Sequence, residues 1–96
     1  MKMVINNCFG GFSLSDAAVQ QLGLDSPYSD IDRCDERLVA LVEQDADAAS
    51  GRCARLVVVE IPDEATDTYL EEYDGAERLL YVLDGHIHFA DEEEDF

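Results

Sequence analysis

The order of apolar runs and turn signals predicts an α+β fold: two short helices packed on one face of a mostly antiparallel sheet of four to five strands, with hairpins at the C-terminal end. Three observations carry this. β-branched runs stand at 2–6 and 56–61, two segments with helix caps and helical spacing lie between them, and two Asp-Gly turns follow at Asp74-Gly75 and Asp84-Gly85. At 96 residues the chain has the size of one domain, placed at 1–90, with an acidic disordered tail at 91–96.

Lys2 to Asn6 reads as the first strand and ends at Cys8-Phe9-Gly10-Gly11-Phe12, where paired glycines predict positive φ or close backbone approach. The same glycines precede a helix start, but no G-x-G-x-x-G or Walker lysine accompanies them, and Asp16 would meet an anion with like charge. A turn that packs Phe9 and Phe12 into the core is the better account. Ser15 is a good N-cap, Leu14 and Val19 stand at staple positions, and Gly23 supplies a stop, so the first helix spans about Asp16 to Leu22. Residues 24–33 have loop composition.

The second helix begins at Asp32 or Asp35 and runs through Leu38, Val39, Leu41 and Val42 to about Ala46, with Gly51 marking the exit. Arg33 and Arg37 stand at i and i+4 and repel, so charge there is poorly balanced. Leu56-Val57-Val58-Val59-Glu60-Ile61 is apolar on both alternating faces, which predicts a central strand, and Pro62 ends it.

Two-residue turns at the Asp-Gly pairs fix the hairpin register by counting. Glu72 then faces Glu77, Glu71 faces Arg78, Leu70 faces Leu79 and Tyr69 faces Leu80; in the second hairpin Val82 faces Ile87, Tyr81 faces His88 and Leu80 faces Phe89. One sheet face gathers Tyr69, Leu80, Val82, Ile87 and Phe89, and is expected to be the core under the helices. The other carries Leu70, Glu72, Glu77, Leu79, Tyr81, His86 and His88, and is expected to be the binding surface.

Charge bounds the function. Twenty-three acidic residues against six basic ones leave a net charge of -17. Such a field opposes phosphate backbones and anionic lipid, and it speeds encounter with a basic surface. Direct nucleic-acid or membrane binding is therefore not expected. No run is long enough for a membrane span, and the N-terminus lacks the apolar core of a signal peptide, which together predict a cytoplasmic protein. Cys8, Cys34 and Cys53 form no close pair, so no disulfide framework is expected.

Carboxylates dominate the candidate binding residues. Glu71 and Glu72 are adjacent on a strand and point to opposite faces, so they make no acid–base dyad. Glu72 opposite Glu77 is a repulsive pair that a basic partner would relieve. With Glu36 and Glu43 on the second helix and Asp91, Glu92, Glu93, Glu94 and Asp95 in the tail, these are the expected partner-binding residues. His86 and His88 share a strand face and could bind a metal if a third ligand converged, but no third ligand is evident in the sequence. The alternative function is thus a small structural or metal-binding domain using His86 and His88, its acidity serving solubility or salt adaptation.

The run Asn6-Asn7-Cys8-Phe9-Gly10-Gly11-Phe12-Ser13-Leu14-Ser15 resembles the opening of a group of small phage and prophage proteins with an N-x-C-aromatic-G-G-F-x-L-S pattern. Val59-Glu60-Ile61-Pro62-Asp63 and Glu71-Glu72-Tyr73-Asp74-Gly75 are similar to further stretches of that group, whereas His86–Phe89 and the tail depart from it. The resemblance implies a phage-linked origin and assigns no catalytic residue and no cofactor. Together with the acidity it implies an interaction protein, not an enzyme, that binds and inhibits a basic, nucleic-acid-binding host protein in the host cytoplasm, as anti-CRISPR proteins do. Carboxylates at i and i+2 on a strand, roughly 6.5 to 7 Å apart, would allow nucleic-acid mimicry. Monomer and homodimer are both compatible with the sequence.

Overall fold

A computed structural model describes residues 1–90. β1 (Lys2–Asn6) and β2 (Leu56–Glu60) pair antiparallel, with Val4 opposite Val58 and Asn6 opposite Leu56. β3 (Asp67–Tyr73), β4 (Ala76–Leu83) and β5 (His86–Phe89) form a second antiparallel sheet in that order. Between β1 and β2 come α1 (Asp16–Leu22), α2 (Glu36–Gln44) and the single turn α3 (Ala46–Ala49). The α+β class and the five strands agree with the sequence prediction, but the strands divide into two sheets.

Local chemistry sets the helix ends. The Ser15 hydroxyl accepts from the Ala18 N–H, Gly23 turns left-handed at φ 70°, and the Leu24 N–H closes on the Val19 carbonyl. Of the two candidate caps for α2, Asp35 takes the position and accepts from the Arg37 and Leu38 N–H groups. Asp32 instead accepts from Cys34 N–H in the turn before it. Asp45 ends α2 and its carboxylate caps α3, which is why the second helical segment breaks where sequence periodicity carries on.

The β1–β2 ribbon is the middle layer. Val4 and Leu56 share a buried cluster with Leu14, Leu22, Leu38 and Val42 from the helical side. On the ribbon's other face Ile5, Val59 and Ile61 pack with Leu79 of β4. The two-sided apolar run at 56–61 thus reflects burial between layers. Among the described residues β2 has one strand neighbour, β1, and is not a central strand of one sheet. Nor do the helices cover the C-terminal sheet: among the described residues none of them contacts β3, β4 or β5. That sheet rests on the ribbon, through β4.

Both hairpins have the counted register, residue for residue. Asp74 and Gly75 lie at φ 51° and 91°, Asp84 and Gly85 at 53° and 79°, the doubly left-handed geometry of two-residue hairpin turns. Gly75 also needs its missing side chain: a Cβ there would stand 2.7 Å from the Gly11 Cα. The Gly10 N–H donates to the Asp74 carbonyl at 3.0 Å, so the paired glycines are the seat for the first hairpin turn.

Candidate protein-docking surface

Alternation along β4 decides which face of the C-terminal sheet is buried. Glu77, Leu79 and Tyr81 turn toward the ribbon, so the face expected to bind a partner is the inner one, and the face expected to be core is the outer one. The cause is Glu77. In sequence it reads as a surface acid opposite another acid, but it is buried, and both its carboxylate oxygens are engaged. Arg33 Nη1 and Nη2 donate to Oε1 and Oε2 at 2.7 and 2.9 Å, and the Asn6 N–H donates to Oε1 at 2.8 Å. Glu77 therefore does not belong to the partner-binding set. It needs no external cation.

The repulsion expected between Arg33 and Arg37 gives way to this ion pair. The Arg33 guanidinium also lies 3.7 Å from the centre of the Phe12 ring and donates to the Val4 carbonyl. Asn6 completes the junction: its side-chain amide donates to the Cys8 and Gly75 carbonyls, and its oxygen accepts from the Arg55 N–H. The Asn-x-Cys run is thus a structural clasp between β1, the glycine turn and the first hairpin. Phe12 packs against the helix-side cluster, whereas Phe9 is exposed and meets Tyr73 edge to face at 6.3 Å, contrary to its expected core position.

The outer face has different chemistry. Tyr69, Ile87 and Phe89 are exposed, Ile87 by 65%, while Leu80 and Val82 between them are half-buried. Asp67 and Glu71 share the β3 part of this face by alternation, opposite Val82 and Arg78. The Arg78 guanidinium lies 4.2 Å from the Phe89 ring centre. An apolar centre beside carboxylates is the composition of a docking patch, with anchors in the middle and charge at the margin.

The other expected residues scatter. Glu72 is exposed on the inner side of β3, and Glu36 and Glu43 project from α2, across the ribbon from the outer face. Glu43 is engaged by Lys2 at 2.6 Å, a bond that holds the lysine pKa above its usual value. Asp91, Glu92, Glu93, Glu94 and Asp95 lie outside the described residues.

No known family model matches this chain, no curated protein matches its sequence, and no solved structure matches its fold.

Site assignment therefore rests on geometry. His88 stacks on Tyr81 at 5.3 Å between ring centres, and His86 is exposed beside the second turn. Among the described residues no three His, Cys, Asp or Glu side chains converge to hold a metal ion. Cys8 and Cys34 are half-buried and Cys53 is exposed, all as free thiols. Burial, reinforced by Asp32, pushes the Cys34 thiol above its usual pKa and so disfavours the nucleophilic thiolate. On β3 no two carboxylates stand at i and i+2: Asp67 and Glu71 are separated by Tyr69 on one face and Glu72 lies on the other, so this strand carries no ladder of phosphate-like charges. No described helix is long and apolar enough to cross a membrane.

Proposed function

We propose that this is an acidic, phage-derived interaction protein that binds, and by covering it inhibits, the basic nucleic-acid-binding surface of a host cytoplasmic protein, in the manner of an anti-CRISPR inhibitor. The observation that carries this reading is the outer face of β3–β5, which no described helix covers and where Tyr69, Ile87 and Phe89 stand exposed beside Asp67 and Glu71. Apolar anchors supply affinity once water is excluded, and the net charge of -17 speeds encounter with a positive surface. Recognition is then of protein by protein, with carboxylates placed against Lys and Arg that otherwise hold phosphate.

The test is capture of basic host proteins at low and high salt, by the wild-type chain and by Ile87→Asp and Glu71→Lys variants. A specific basic protein retained at low salt, released at high salt and lost with either variant supports the function. Capture that survives both substitutions removes the outer face from it, and absence of any basic partner at low salt removes the function itself.

A further inference from the structure

The two sheets treat their free edges differently. Two outward N–H groups of β1 are closed by the protein itself: Val4 N–H donates to the Arg33 carbonyl at 2.9 Å and Asn6 N–H to the Glu77 carboxylate at 2.8 Å. β3 is also an edge strand, and all seven of its residues are exposed. Its turn makes Tyr73 and Ala76 the first hydrogen-bonded pair, so Glu71, Tyr69 and Asp67 bond inward to β4. The backbone groups of Thr68, Leu70 and Glu72 consequently point away from the sheet. Among the described residues nothing accepts from or donates to this outward row.

Edge strands are commonly protected by shortness, proline, a bulge or lysine. β3 has an unbroken register and contains neither proline nor lysine. What it has is negative charge, from Asp67, Glu71 and Glu72. Charge of one sign protects selectively. A second copy of this chain would bring the same three carboxylates and its own net charge of -17 to the joint, so pairing between copies is opposed. A basic strand meets attraction at the same positions.

From this we infer that the outward edge of β3 is a strand-addition site for an extended basic segment of the partner, which pairs with Thr68, Leu70 and Glu72 as an antiparallel fourth strand. The inference rests on the docking function proposed above and names its mode. Backbone bonds along the row supply affinity without regard to sequence, and alternating side chains supply selection. Lysine or arginine on the outer side meets Asp67 and Glu71 around Tyr69. An apolar residue on the inner side meets Leu70.

The probe is an end-capped nonapeptide of alternating lysine and valine, added to the full chain at low salt. Binding slows exchange of the Thr68, Leu70 and Glu72 amides by about tenfold or more, as for amides newly placed in a ladder. N-methylation of the valine amides, which face β3 in the antiparallel joint, removes that protection; an acidic peptide of the same pattern does not produce it. No binding by the lysine–valine peptide, or binding that leaves those three amides unchanged, overturns strand addition. If the edge amides stay unchanged while peptide binding is lost in Ile87→Asp, strand addition fails and outer-face docking stands. If edge protection is found and host capture falls in Glu71→Lys but not in Ile87→Asp, the edge site stands and docking on the apolar outer face fails.

Discussion

Arg33 and Glu77, 44 residues apart, meet through two parallel hydrogen bonds of 2.7 and 2.9 Å and so tie the loop before α2 to β4 across the end of β1. Removal of one partner strands the other charge out of water. Arg33→Ala is expected to cost about 3 kcal/mol or more of unfolding free energy, read from urea titration. Replacing both, as Arg33→Met with Glu77→Leu, is expected to recover a large part of that loss. A single variant within about 1 kcal/mol of wild type would show that the pair is not buried in solution.

The two hairpin glycines separate backbone strain from crowding. Gly75 and Gly85 share left-handed φ values of 91° and 79°, but only Gly75 lies against another segment, the Gly10–Gly11 turn. Gly85→Ala is expected to cost about 1 to 2 kcal/mol, the penalty of a left-handed side chain. Gly75→Ala carries the same penalty plus displacement of the glycine turn, and should be clearly the worse of the two in thermal unfolding. Equal losses would remove the packing role assigned to the paired glycines.

Acid sensitivity has a defined sign. The backbone N–H of Arg37, donated into the Asp35 carboxylate at the start of α2, holds its pKa below 3.8; the N-terminal ammonium does the same for Asp63. Carboxylates whose folded pKa is lowered stabilise fully above 3.8 and lose that contribution as pH falls through the folded value. Asp35→Asn keeps a capping oxygen and removes the titration. Its melting temperature should lie below that of wild type near neutral pH, and the gap should close from about pH 4 toward pH 2. A constant gap would assign the Asp35 effect to cap geometry alone.

Local signals in the sequence placed the elements well. Ser15, Gly23 and both Asp-Gly turns act through neighbours within a few residues, so caps, turns and hairpin register could be counted. The buried sheet face carries Glu77 beside Leu79, and nothing local ties Glu77 to its partner Arg33. Counting apolar side chains favoured Tyr69, Ile87 and Phe89 for the core because a buried carboxylate with a dedicated guanidinium looks like a surface acid. The membership of the outer face is legible in the sequence, and its exposure is not. Asp30, Asp32 and Glu36 flank Arg33 and offer it nearer acids, so no local signal points to Glu77.

Matched charge changes distinguish a docking surface from a general electrostatic attraction. Glu71→Lys and Glu36→Lys alter net charge by the same amount, but Glu71 lies on the outer face of β3 and Glu36 on α2, across the ribbon. A partner held only by the overall field would lose affinity about equally from both, since screening beyond about 10 Å leaves only a diffuse attraction. A partner seated on β3–β5 is expected to respond strongly to Glu71→Lys and little to Glu36→Lys. Ile87→Asp, at a site 65% exposed, should leave stability within about 0.5 kcal/mol and yet abolish binding. Together the three variants, measured by titration calorimetry at two salt concentrations, would assign the contact to one face, because only Ile87→Asp makes the chain more acidic and is yet expected to weaken binding to a basic protein.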